Sequence, residues 1–186
     1  VFTLDGPVTF AAGAAKAYAK VKYGDFSTID PSTLSVAATG SDVNVGLAFP
    51  ISLNIASANA SVSNVKKVDV LASSALEFED KGTVRLDSRN GWEGADFTTK
   101  IQKAKGANVY KLVTPFGARS FAFMVKSNGT TIVFPNQVIA VDATYGPVSA
   151  TNVTGTVANN VVTINVGAYT VSAGSFGAGQ EILYLP

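Results

Sequence analysis

The chain has 186 residues, a formal net charge of +1 at pH 7, and neither cysteine nor histidine. These absences exclude disulfides, thiolate or imidazole metal sites, and every catalytic system built on a cysteine nucleophile or a histidine base. A net charge so close to zero gives no field that would gather phosphate groups, so we expect no nucleic-acid partner. With 47% hydrophobic and 15% charged residues, the chain has ample material for a packed core, and nothing in it calls for a cofactor.

The N-terminal part carries two patterns typical of β-strands. In residues 43–55 every odd position is apolar, whereas the even positions are polar or small, and this period of two predicts a half-buried strand. Pro50 has no backbone donor, so we expect that strand to lie at a sheet edge or to break at a bulge there. In residues 15–23 lysines occupy one parity and apolar side chains the other, which predicts a strand from about Ala15.

The C-terminal part carries two hairpin signals. Asn128-Gly129 stands between two β-rich runs in residues 120–134, and predicts a hairpin with a type I′ turn. Asn159-Asn160 stands between two valine-rich runs and predicts a second hairpin. We expect a further strand over residues 181–185, and strand or loop over residues 96–105.

Acidic and basic residues are distributed unevenly along the chain. Residues 1–97 hold eight basic and eleven acidic side chains, whereas residues 98–186 hold six basic and two acidic ones. Six of the acids crowd into residues 77–96, a segment that also carries the sole tryptophan, Trp92. We place a domain boundary near residues 74–76, just before this acidic segment.

These patterns predict an all-β protein of two antiparallel β-sandwich-like modules. Residues 1–74 form the first, an immunoglobulin-like or Calx-β-like sandwich. Residues 75–186 form the second, a C-terminal antiparallel β domain.

Three segments carry residues of the types found in catalytic or ligand-binding sites. Glu77 and Glu79 share one face of a strand, and paired carboxylates serve glycoside hydrolysis or calcium binding, although a solvated strand edge explains them more simply. Residues 87–91 resemble the start of a calcium loop but carry Arg89 where a ligand is needed. The glycine-rich residues 174–179 lack the lysine of a phosphate-binding loop, so we expect a tight connection between strands there.

Four aromatic residues are candidate ligand contacts. Trp92 lies between glycines in a polar stretch, where its ring could stack on a sugar, although a lone tryptophan is more often part of a core. Tyr110, Phe116 and Tyr145 lie beside proline or glycine near strand ends, where loops carry binding sites, but each could equally close the end of a sandwich.

Several segments resemble one family of proteins. Residues 7–13, which continue into the alternating segment that ends at Tyr23, and residues 49–57 are similar to N-terminal β-sandwich modules of Bacteroidetes cell-surface lipoproteins. Residues 108–117, 145–146 and 171–177 resemble the C-terminal β domain of such lipoproteins.

The resemblance implies a non-catalytic protein exported to the cell surface, outer membrane or periplasm, held at the membrane only by a lipid anchor upstream of this chain. The function expected is glycan binding, as an accessory protein of a polysaccharide-utilisation system. The alternative is a structural or adhesive module whose partner is a cell-surface protein. A hydrolase built on Glu77 with Glu79 or Glu93 is a third, weaker hypothesis.

Overall fold

The computed structural model describes residues 2–9, 11–14, 17–54 and 67–186. Every regular element in them is a β-strand and every strand pairing is antiparallel, which confirms the predicted all-β class. The described residues hold no helix long and apolar enough to cross a membrane. The strands are β1 Phe2–Leu4, β2 Val21–Tyr23, β3 Thr33–Thr39, β4 Asp42–Asn54, β5 Lys67–Ala75, β6 Phe78–Asn90, β7 Asp96–Ala104, β8 Val109–Val113, β9 Phe121–Val125, β10 Ile132–Val133, β11 Gln137–Asp142, β12 Gly146–Thr151, β13 Thr154–Ala158, β14 Val161–Val166, β15 Ala168–Val171, β16 Gly174–Ser175 and β17 Gly179–Tyr184.

The largest sheet has eight strands and curls until its ends meet. Its strand order is β10-β9-β8-β7-β6-β17-β14-β13. Thr131, just before β10, forms a bridge with Thr156 of β13, and the Val157 N–H donates to the Thr130 carbonyl at 2.8 Å. The sheet is therefore a nearly closed barrel.

A second sheet, of order β11-β12-β15-β16, packs against the interior of this barrel-like sheet. Inward positions alternate along its strands, so that Val148 and Ala150 of β12 are buried while Ser149 between them is half-buried. The shared core is formed by large apolar side chains of both sheets: Leu86, Ile101, Leu112, Phe121, Phe123, Ile139, Val148, Val162, Ile164 and Leu183.

The N-terminal strands cover the outside of the same barrel-like sheet. β3, β4 and β5 form a three-stranded sheet, and β1 pairs with β2. Side chains of β3 and β4, together with Phe26, pack on Val109, Ala122 and Met124 of the barrel wall. The predicted boundary at residues 74–76 falls where β5 ends, and the division into two modules stays a prediction.

Strand β9 is consequently buried on both faces. Phe121 and Phe123 enter the barrel core, whereas Ala122 and Met124 lie under the N-terminal sheet. The two layers are also joined by an ion pair, in which Nζ of the buried Lys111 lies 2.9 Å from Oδ2 of Asp42.

The strand predicted over residues 43–55 is confirmed as β4, with Ile55 outside the described residues. Pro50 pairs with Leu71 of β5, but the Pro50 nitrogen points away from β5, toward the β3 side of β4. The Ala48 carbonyl points to that same side, where it accepts from the Ser32 N–H. Because β3 begins opposite Ala48, Pro50 lies at a local sheet edge and interrupts no ladder hydrogen bond.

Both hairpins are confirmed, but one turn differs from the prediction. Asn159 and Asn160 have φ of 50° and 60°, as a two-residue type I′ turn requires. In the other hairpin Gly129 has a φ of 70° and Asn128 does not have a positive φ, so the predicted type I′ turn is wrong. The longer connection is stabilised instead by the Asn128 side chain, whose Oδ1 accepts from the Thr130 N–H at 2.9 Å.

The remaining strand predictions have mixed outcomes. The segment predicted as strand or loop over residues 96–105 is strand up to Ala104, as β7, and the strand predicted over residues 181–185 is confirmed up to Tyr184, as part of β17. The strand predicted from about Ala15 is wrong in extent, since β2 begins only at Val21 and residues 17–20 are not in a strand. Its partner β1 is three residues long, so there is no ladder to extend it further; Ala15 and Lys16 lie outside the described residues.

Candidate functional site

Three aromatic side chains meet at the surface and form what we call the aromatic patch: Trp92, Tyr145 and Phe176. The ring centroids of Trp92 and Phe176 are 5.3 Å apart at 73°, and those of Tyr145 and Phe176 are 5.6 Å apart at 68°. Both contacts are edge-to-face, the arrangement that aromatic quadrupoles favour. Tyr145 is 49% and Phe176 48% exposed, whereas Trp92 is half-buried.

The patch is assembled from three separate connections. Trp92 lies between β6 and β7, Tyr145 lies between β11 and β12, and Phe176 lies between β16 and β17. Gly146 and Gly177, which follow two of the rings, have φ of 77° and 92°, a conformation that a residue with a side chain rarely adopts. The turns that present these rings therefore depend on glycine.

A buried carboxylate supports the patch from below. Glu181 of β17 is 2% exposed. Its Oε1 accepts a hydrogen bond from the Trp92 backbone N–H at 2.8 Å and another from the Tyr169 hydroxyl at 2.8 Å. The Tyr169 ring also packs against Trp92, with centroids 5.7 Å apart. Glu181 thus connects the Trp92 backbone to β15.

The segment that carries Trp92 is compact. The Ser88 N–H donates to the Ala95 carbonyl at 2.8 Å, and the Glu93 N–H donates to the Ser88 hydroxyl at 3.0 Å. Gly91 lies directly against the carboxyl group of Glu181, since a Cβ at that position would come within 2.6 Å of Oε2. Gly91 is therefore required by close approach to the carboxylate.

The buried position of Glu181 changes the pKa of its carboxyl group. Burial raises the pKa of Glu181, and the charge of Glu93 acts in the same direction, against the opposing effect of the Trp92 N–H and of the nearby Ser88 and Tyr169 hydroxyls. Burial and the adjacent Glu181 likewise raise the pKa of Tyr169, which keeps its hydroxyl a donor. Oε2 of Glu181 has no hydrogen-bond partner among the residues that the structure describes. The site thus contains a carboxylate that binds a proton more readily than an exposed one.

Two of the four predicted contact residues, Trp92 and Tyr145, are brought together, and the other two lie elsewhere. Tyr110 is half-buried and stacks on Phe123, with centroids 5.6 Å apart at 19°. Phe116 is buried and packs on Phe121 in the barrel core.

Sequence reasoning missed the three residues that complete the site. Phe176 stood in a glycine-rich segment, where an apolar ring flanked by Ser175 and Gly177 was the available signal. Tyr169 and Glu181 are ordinary strand residues in sequence, and no pattern linked them to Trp92.

The candidate carboxylates Glu77, Glu79 and Asp87 are engaged in ion pairs. Glu77 lies 3.0 Å from Nζ of Lys105, and Glu79 lies 3.0 Å from Nζ of Lys81, all at exposed positions. Arg89, the residue that departs from a calcium loop, pairs with Asp87 and lowers the pKa of that carboxyl to about 2. Within the described parts of the chain, no group of three or more acidic residues could hold a metal ion.

Comparison with known proteins gives no match: no protein family, curated protein or solved structure is similar enough to this chain to be recognised. The features of the structure that bear on function are the aromatic patch and the groups beneath it.

Proposed function

We propose that this chain is a non-catalytic glycan-binding protein and that the aromatic patch is its sugar contact. The observation that carries the proposal is the convergence of three rings from three connections on one exposed surface, two of them about half exposed. Sugars present apolar C–H faces that stack on aromatic rings, and rings bury a large area at little entropic cost.

The charge at the rim of the patch favours one kind of glycan. Glu93 is exposed and adjacent to Trp92, and its negative charge lies close enough to raise the pKa of Glu181. A uronate or sulfate group would be repelled there. A neutral polysaccharide is the better fit.

The proposed setting is the cell surface of a Bacteroidetes-type bacterium, where the chain acts as an accessory protein of a polysaccharide-utilisation system. Support for this setting comes from the segments that resemble surface lipoproteins of that group. Attachment to the membrane is then through a lipid anchor upstream of this chain.

Affinity electrophoresis tests the proposal. We expect native gels that contain one neutral plant, host or microbial polysaccharide to retard the protein. The affinity calculated from this retardation should fall about tenfold or more in Trp92→Ala and in Phe176→Ala. Retardation by uronate-rich polysaccharides should be weaker, because Glu93 repels them.

Tyr18→Ala is the matched control, since Tyr18 is 87% exposed and lies outside the patch. It should be retarded like the unmodified protein. Uniform migration across a broad panel of polysaccharides, or equal loss in the Tyr18 variant, would contradict a sugar site at the patch.

One observation favours the structural or adhesive alternative. Among the described strands, β5 pairs with β4 alone, and its Val70 and Leu71 are exposed. An open strand edge is a ready site for strand addition by a protein partner. Under this alternative, a surface-protein fraction should yield a partner that binds the protein but not Leu71→Lys, while no polysaccharide retards either form.

A further inference from the structure

Glu181 is buried, and none of the ion pairs among the described residues includes it. The segment between β6 and β7 presents the Trp92 N–H and the carboxylate of Glu93 to it, and β15 presents the Tyr169 hydroxyl. From β6 the neutral Ser88 lies nearby, and in β14 the register partner of Glu181 is the apolar Ile164. Within the parts of the chain that the structure describes, the charged group that faces Glu181 is therefore another acid, Glu93.

We propose that Glu181 is a positioning residue for Trp92, and that its ionisation controls whether the segment over residues 91–95 stays packed and the patch stays competent to bind glycan. The regulation rests on the proposed function, whereas the positioning of Trp92 can be measured without a ligand.

Linkage fixes the direction of the effect. Because burial and Glu93 raise the pKa of Glu181 in the packed state, that state takes up a proton more readily than a state in which the segment has opened and the carboxylate is hydrated. Protonation therefore favours the packed segment, and ionisation favours opening. The stabilisation is fully present below the ordinary glutamate pKa of 4.5 and is lost as pH rises through the raised value.

Binding should follow the same direction. If the packed segment is the form that presents the Trp92 ring, the glycan binds more tightly in acid than at neutral pH. A coupling of this kind commonly changes affinity by about fivefold or more.

The sole tryptophan makes the positioning step directly measurable. Trp92 is the one tryptophan in the chain, so intrinsic fluorescence reports its surroundings alone. We expect its emission to shift to longer wavelength in a one-proton transition as pH rises from acid to neutral, with no glycan present. Glu181→Gln, which stays uncharged, should abolish the transition.

Two further variants move the transition in opposite directions. Glu93→Gln removes a repelling charge and should shift the midpoint to lower pH. Tyr169→Phe removes a donor that stabilises the charged form and should shift it to higher pH. If Glu181→Gln does not unfold cooperatively, and so is not properly folded, the opposite midpoint shifts of the other two variants show whether Glu181 is the group that titrates.

Three results would overturn the proposal. The first is a Trp92 emission that does not change with pH in the unmodified protein, and the second is a transition that persists in a folded Glu181→Gln variant. The third is a transition midpoint that stays unchanged in Glu93→Gln and Tyr169→Phe. Affinity electrophoresis at acid and neutral pH then separates the two proposals. The regulation is supported if the gel retains the unmodified protein about fivefold more strongly at acid pH and retains Glu181→Gln strongly at both pH values. Equal retention of the unmodified protein at the two pH values contradicts it. A Glu181-dependent transition without retention by any polysaccharide supports the positioning role and contradicts glycan binding.

Discussion

Replacing Phe121 with alanine should lower the free energy of unfolding by about 4 kcal/mol. Phe121 is 1% exposed, and its ring packs against Phe116 and Phe134, with centroid distances of 5.8 and 5.7 Å. Truncation removes these contacts and leaves a cavity that β9 cannot close, because β9 is fixed by packing on both of its faces. Urea denaturation of the two proteins measures the difference.

The same substitution at an exposed position is the control. Phe176→Ala removes a ring that is 48% exposed, and we expect it to cost about 1 kcal/mol or less. Similar losses for the two variants would contradict the placement of Phe121 in the core.

Gly91→Ala should destabilise the protein by about 2 to 3 kcal/mol and reduce retention by glycan. The new Cβ would overlap the carboxyl group of Glu181, which is held by Trp92 and Tyr169 and has little room to move. Either the segment over residues 91–95 shifts or the buried carboxylate loses its donors, and both displace the Trp92 ring. Thermal unfolding together with affinity electrophoresis measures the two effects.

Gly24→Ala is the comparison for this variant. An added Cβ at Gly24 meets nothing within 4 Å and Gly24 does not have a positive φ, so its stability should change by about 1 kcal/mol at most. A neutral Gly91→Ala would show that the segment yields easily to the extra atom, and would remove the argument for close packing against Glu181.

The sequence predicted strands and turns well where they depend on interactions between residues close together in the chain. The alternation in residues 43–55 reflects one buried and one exposed face of β4, and Asn159-Asn160 reflects the positive φ that a two-residue turn requires. The run of apolar residues at 121–125 has no alternation because β9 is covered on both faces, a pattern that indicates double burial.

The candidate site was less predictable because its parts are far apart in sequence. Trp92, Tyr145 and Phe176 are neighbours only because the end of β6, the start of β12 and the end of β16 lie at the same side of the protein. The role of Glu181 depends on burial, and burial depends on the pairing of β17 with β6 and β14, which is set by the whole fold. No pattern within β17 itself carries that information.

The double burial of β9 has a practical consequence for the preparation of the protein. A fragment that begins after β5 would lack the cover over Val109, Ala122 and Met124, and these side chains would form a continuous apolar strip on the barrel wall. Exposed strips of this kind promote association between molecules. Recombinant pieces of the barrel would therefore be prone to precipitate, and the intact chain is the form in which to assay the aromatic patch.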